Sequence, residues 1–311
     1  MVSNFFNRFE QFITSRFPHL VFGEAKKPIL ELSHDIDAIY KTPQIRFKQA
    51  ALNGYNSIRS ILLPKAFWKN ARRTLRILFL NPEYGDFNHW ASMDLRHQRR
   101  SIFYVYSQAG KKTLRSWIVD PSYIIPTNLS LIDRLKRLAQ DGFELGLHGS
   151  YLSAINGDRL AEEKTILERA IGRPVKKVRQ HWLNYVEKIT PHLHEELFES
   201  DSTIGFNDSL SYRAGCAASY RPYDHQNDRP FCHRIVPLII MDSNIFQNSQ
   251  AREHDTINRA LIMIGDLRKY KQAHVSLSWH SHVHAADFRW QGTYEQILAR
   301  IPQDYRDSAR L

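Results

Sequence analysis

A repeated adjacency restricts the fold of this chain more than any other feature: short apolar segments of strand length run straight into residues that carry chemistry. Residues 28–33 (PILELS) precede His34, Asp35, Ile36 and Asp37, and 102–106 (IFYVY) form a second apolar run. Residues 143–147 (FELGL) run into His148, 175–178 (VKKV) lead to Arg179, Gln180 and His181, and 274–278 (HVSLS) end at Trp279, His280, Ser281 and His282. Helical patterns lie between them. Leu131, Leu135 and Leu138 make an apolar stripe that stops at Asp141-Gly142. Residues 159–171 present Leu160, Leu167 and Ile171 ahead of Gly172, Thr190-Pro191 opens a helix to about Ser200, and a long helix near 255–269 precedes the last strand. Strands alternating with helices predict a parallel sheet with helices outside it. In barrels of this kind chemistry gathers at the C-terminal ends of the strands, so these polar residues are expected on one face. A chain of 311 residues fits one such domain.

Charge singles out one segment. Residues 41–80 hold nine cations (Lys41, Arg46, Lys48, Arg59, Lys65, Lys69, Arg72, Arg73 and Arg76) and no acid; removing those nine from 43 leaves 34 basic against 32 acidic residues elsewhere. The excess therefore belongs to this stretch and points to an anionic partner for it alone. Ile58, Leu62, Phe67, Leu75, Ile77 and Leu78 are interleaved with the cations, Pro64 breaks the run and Asn81-Pro82 ends it. The whole reads as a basic helical insertion at about 41–100 in a single domain spanning 1–311. Helices that mix apolar and cationic residues suit an anionic membrane surface; a solvated helix packed on the barrel is the plainer alternative. Nucleic acid is the weaker expectation, because no binding motif accompanies the charge. The N-terminus lacks the apolar core of a secretory signal, no run of about 18 apolar residues occurs, and Cys216 and Cys232 make no disulfide framework. These readings lead us to expect a cytoplasmic protein, peripheral on the inner face of the membrane.

The motifs have chemistry of their own. Asp35 and Asp37 are two apart, so an extended backbone points both to one side. Close carboxylates repel unless a cation or proton lies between them. A bare DxD also reads as a solvated turn. His148 after a strand is a good metal ligand or a hydrogen-bonded structural residue. Arg179 and His181 share a face, where arginine holds a carboxylate ionised and histidine adds a ligand, or both form a surface pair. Among His280, His282 and His284, one can protonate a leaving amine while the others face solvent.

No motif decides alone, but their order, HDID, LHGSY, RQH and WH, each after a strand, resembles the polysaccharide deacetylases of the NodB-homology, carbohydrate esterase family 4 group, over about residues 28–285. The likeness is to the divergent branch with HDxD and HxSY motifs. It implies a distorted (β/α)7-type barrel and a hydrolase that removes an N-acyl group, usually acetyl, from a sugar. SHDID (33–37) implies Asp35 as catalytic base and Asp37 as metal ligand. ELGLHGSY (144–151) implies His148 as the first metal histidine. RQHW (179–182) implies that Arg179 orients the base, and SLSWH (276–280) implies His280 as general acid. DSLSYRAG (208–215) falls where a fourth motif is expected, so Asp208 and Arg213, with Tyr151 and Trp182, are candidates for binding substrate.

The family's second metal histidine would fall four residues after His148, where this chain has Leu152; His181 is the candidate replacement. The implied cofactor is one divalent cation, zinc first, with iron, cobalt and nickel as alternatives. The implied partner is a saccharide, nucleotide sugar or lipid-linked sugar of surface-polysaccharide or glycolipid assembly. A metal phosphodiesterase and a non-catalytic carbohydrate-binding protein on a decayed barrel are the rival readings.

Overall fold

The computed structural model describes residues 2–307 apart from 21–22, 24–25, 60, 63, 247–252 and 289. Ten strands occur among them: β1 (Ile29–Ile36), β2 (Ile102–Tyr106), β3 (Glu144–Gly149), β4 (Lys177–Gln180), β5 (Ser200–Asp201), β6 (Tyr223–Asp224), β7 (Arg229–Pro230), β8 (Arg234–Ile235), β9 (Leu238–Met241) and β10 (His274–Ser278). β6 and β7 pair separately as an antiparallel hairpin. The other eight form one parallel sheet, ordered β8-β5-β4-β3-β2-β1-β10-β9.

β8 and β9 stand at opposite ends of that order, yet only Val236 and Pro237 separate them in the chain. The Val236 and Leu238 N–H groups donate to Asp201 O and Ile204 O at 2.8 and 2.9 Å, while Ser276 N–H donates to Pro237 O at 2.8 Å. One interrupted strand thus joins both edges and closes the sheet, which removes exposed edges. Pro237 lies at the interruption, where a missing N–H breaks no ladder bond. With β8 and β9 taken as one, seven strands surround the axis, as the motifs implied. The apolar run 236–241 passed unassigned in the sequence, although it is the closing strand.

Strand parity sorts side chains between two environments. Leu30, Leu32, Leu145, Leu147, Val178, Val275 and Leu277 are all buried in the apolar layer shared with the helices. The opposite face is polar. At its lower end Glu31 meets Lys177 Nζ at 3.3 Å and His274 Nε2 at 3.1 Å. Above them Arg179 bonds serines from three elements, as described below. Gly146 makes this interior possible, because a Cβ there would meet the Tyr104 ring at 2.6 Å.

The strands end later than the sequence runs suggested. β1 extends to Ile36 rather than stopping at residue 33, and β4 occupies 177–180 rather than 175–178. Ladder bonding to neighbours, which local composition does not report, carries both strands into their motifs. His34 consequently faces outward. It packs between Trp90 and Phe103 at 4.8 and 4.9 Å between ring centroids, with Nδ1 3.0 Å from Trp279 O.

Four helices occur before β2: α1 (Val2–Arg16), α2 (Pro43–Arg59), α3 (Pro64–Phe79) and α4 (Phe87–Arg96). α2 and α3 are the basic segment, packed against each other, with Pro64 at the first position of α3, where its missing N–H is harmless. Phe47, Ile58, Trp68, Leu75 and Phe79 on this pair, and Leu62 in the turn between them, are exposed. α1 was not foreseen; Asn7 Nδ2 ties it to Lys269 O at 2.7 Å. No described helix is long and apolar enough to cross a membrane.

Candidate active site

Asp35 and Arg179 meet at the axis. Both are buried, and Arg179 Nη1 donates to Asp35 Oδ1 at 2.6 Å. The same nitrogen reaches Ser33 Oγ and Ser278 Oγ at 2.8 Å, Nη2 reaches Ser202 Oγ at 2.9 Å and Ser276 Oγ at 3.0 Å, and Nε donates to Ser202 O at 3.1 Å. The guanidinium lies over the Tyr104 ring, 4.3 Å from its centroid. Every donor group is therefore occupied, which a buried cation requires. Burial alone would push the Asp35 carboxyl up, but the guanidinium outweighs it and holds Asp35 below the ordinary carboxylate range.

Asp37 follows β1 on the same side as Asp35. Its Oδ1 lies 3.2 Å from His148 Nε2 and 3.6 Å from His181 Nε2, and the three side chains bring their ligand atoms within 4.8 Å of one another. His148 Nδ1 lies 3.0 Å from Arg179 O. A carbonyl only accepts, so Nδ1 carries the proton and Nε2 offers a lone pair toward Asp37. Neither Asp37 Oδ1 nor His148 Nε2 makes a hydrogen bond, although both atoms are buried. A carboxylate oxygen and an imidazole lone pair facing each other without a proton between them are a donor set for a cation, and two histidines with one carboxylate suit zinc. The residues present thus fit a divalent metal.

Asp120, which sequence reasoning did not select, stands behind His181, with Oδ1 3.5 Å from its Nδ1 and accepting from Tyr151 N–H at 2.8 Å. Burial works against charge on His181, but Asp37 and Asp120 together raise it to about 9. The turn that carries it is unusual, since Trp182 and Leu183 have φ of 58° and 52°.

His280 faces the cluster from the turn just after β10. Its Nε2 is 3.5 Å from Asp37 Oδ2, and its Nδ1 is 2.7 Å from Asp242 Oδ1. Asp242 also accepts from the His280 backbone N–H at 2.9 Å, so the ring is fixed in position. Burial opposes protonation, yet Asp242 and then Asp37 raise His280 to about 10. Asp242 directly follows the closing strand β9, the same strand-end signal that found the other residues, and was missed with that strand. His282 does not face solvent. It is buried beside Tyr84 and Phe288, and burial drops it to about 4.

These groups open into a cavity of about 260 Å³ lined by Asp35, Asp37, His148, His181, Trp182 and His280, among others. α2 and α3 supply Lys48, Asn53 and Arg73 to its wall. Trp182 is exposed at the rim, and its Nε1 donates to Val119 O at 3.3 Å. Three other sequence candidates lie outside this lining. Arg213 Nη1 donates to Leu183 O and Gly205 O at 3.1 and 3.2 Å, which braces the turn after His181. Tyr151 lies under Arg115, and Asp208 is exposed on a loop.

Among solved structures, a protein assigned as a polysaccharide deacetylase from Mycobacterium smegmatis is similar, with a TM-score of 0.54 at 13% identity over 92% of this chain and 88% of that one. The chain has the polysaccharide deacetylase fold. The Puue allantoinase shares it, with a TM-score of 0.53 at 12% identity over 93% and 89% of the two chains. No family model and no curated protein matches the sequence. The polysaccharide deacetylase fold is therefore recognised through backbone geometry, while the placement of side chains comes from this chain's own residues.

Proposed function

We propose that the protein is a metal-dependent amidohydrolase that removes an N-acyl group, acetyl in the first instance, from a sugar. One observation carries this reading: a guanidinium-held carboxylate, a carboxylate with two histidines, and a carboxylate-held imidazolium converge on one cavity. A divalent cation held by Asp37, His148 and His181, zinc by donor type, would supply Lewis acidity toward the acyl carbonyl and its attacking water.

The chain's own residues divide the proton work. Asp35 stays ionised beside Arg179 and accepts a proton from the attacking water. His280 enters protonated, held so by Asp242, and gives its proton to the departing amine. Trp182 at the rim offers a flat apolar face to a sugar ring.

The cavity wall supports a substrate class. Lys48 and Arg73 face the cavity from the basic segment, and burial with Lys112 nearby lowers Lys48 to about 8. Cations there favour a saccharide that carries phosphate, as a nucleotide sugar or a lipid-linked sugar does. The exposed aromatic and aliphatic side chains of α2 and α3, among the eight cations of these helices, favour an anionic membrane surface on the cytoplasmic side. Acetate release from N-acetylated amino sugars with and without a diphosphate group tests this. Faster release from the phosphorylated set is expected, and no release from any substrate by zinc-loaded protein contradicts the reading.

A further inference from the structure

On the far side of Gln180 from the cavity lies a second group of buried side chains that the proposed reaction does not use. His194 comes from the helix Thr190–Leu197, Asp201 ends β5, and His233 precedes β8. All three are exposed by 1% or less, and one ligand atom from each lies within 4.8 Å of the others. His194 Nδ1 is 3.1 Å from Asp201 Oδ2, yet neither atom has a hydrogen-bond partner in the protein, nor does either ring nitrogen of His233. Buried polar groups are rarely left so, and four of them converge here.

A cation at His194 Nδ1 requires that Nε2 carry the ring proton. Ser153 Oγ lies 2.8 Å from Ser150 O and 3.0 Å from Gln180 Oε1, and either can accept its one proton. Gln180 Nε2 lies 2.9 Å from His194 Nε2; turning the amide over, so that its nitrogen donates to Ser153 Oγ, puts the oxygen at His194 instead. In that arrangement His194 Nε2 donates to the amide oxygen and Nδ1 is a lone pair. Asp201 Oδ1 is engaged by the Thr203 N–H at 2.7 Å and by the Thr203 hydroxyl, so Oδ2 points to His194. His194 Nδ1 and Asp201 Oδ2, 3.1 Å apart and without a hydrogen bond, can then share a cation. That spacing is close to the roughly 3.3 Å between two ligands of one tetrahedral zinc. His233 completes the set, with a ligand atom within 4.8 Å of the other two and both ring nitrogens buried without a partner.

We infer that His194, Asp201 and His233 form a second divalent-cation site, structural in role and suited to zinc. The site ties three elements together behind the catalytic wall. Gln180 touches His194 through its side chain, its N–H donates to Thr203 Oγ1 at 3.1 Å, and His181 is the next residue. A cation here would brace the positive-φ turn from which His181 reaches the cavity.

The test uses the full chain stripped with chelator and titrated with zinc alone. In a His148→Ala/His181→Ala variant, where the catalytic cluster is dismantled, one zinc per chain is expected. Adding His233→Gln to that variant is expected to abolish binding, and His233→Gln alone to lower the melting temperature gained on zinc addition. A His148→Ala/His181→Ala protein that is folded by circular dichroism and binds no zinc overturns the inference. So does zinc that is retained after His233→Gln. Either result can be read whether or not the protein releases acetate, so failure here is separate from failure of the proposed reaction.

Discussion

Asp242→Asn asks whether His280 delivers a proton. The Asp242 carboxylate lies 2.7 Å from His280 Nδ1 and is the leading attraction that raises the imidazole from 6.5 to about 10. That rise corresponds to at most about 5 kcal/mol favouring the charged ring, shared with Asp37 and Asp35. Asparagine keeps the shape and a hydrogen-bond acceptor but removes the charge. The acid must hold its proton to work, so the activity limb it controls is the alkaline one. If its value returns to 6.5, about 3% of the ring remains protonated at pH 8, and kcat/KM falls about thirtyfold there while changing little near pH 5.5. A cation beside Asp37 lowers both profiles together, so the difference between the variants is what matters. Acetate release from an N-acetylated amino sugar across pH 5 to 10 is the assay. Superimposable profiles, or an equal loss at every pH, would refute the role given to His280.

Asp35→Asn is expected to lower turnover by about 10²–10⁴-fold and leave metal content unchanged, whereas His148→Ala should empty the Asp37 centre; retained metal and activity in the latter would dismiss this ligand set. Glu163, buried under Ser150, is raised by burial to about 7. Its folded form therefore takes up a proton between 4.5 and 7, so stability declines as pH rises through that window, by on the order of 3 kcal/mol. Glu163→Gln should flatten the decline in melting temperature between pH 5 and 8, and parallel curves for the two proteins would argue against it. Replacing Lys65, Lys69, Arg72 and Arg76 with glutamine should abolish sedimentation with anionic vesicles at low salt; sedimentation that is unaffected by the change or by high salt would remove the electrostatic explanation.

Much of the architecture could be read from the sequence because strand-length apolar runs and helical stripes are local signals. β2 and β10 were placed to the residue, and Gly172 closes its helix with φ of 74°. What escaped depends on distant partners. β9 closes the barrel only through bonds to β10 and the segment after β5, and Pro237 hid the strand. Missing β9 meant missing Asp242. Asp120 follows a short helix rather than a strand, so the strand-end rule passed over it. The i, i+2 spacing of Asp35 and Asp37 did place both on one side, because that parity is a property of any extended backbone. Arg213 and Asp208 were carried by motif order alone, and the structure places them in the brace and on the loop instead of in the cavity lining.

An anomalous-difference map from zinc-soaked crystals of the full chain, collected at the zinc edge, addresses the catalytic centre most directly. A peak within bonding distance of Asp37 Oδ1, His148 Nε2 and His181 Nε2, with Asp35 and His280 flanking it, is the expected result. Ordered side chains at those five positions with no peak among them would contradict a metal-dependent site.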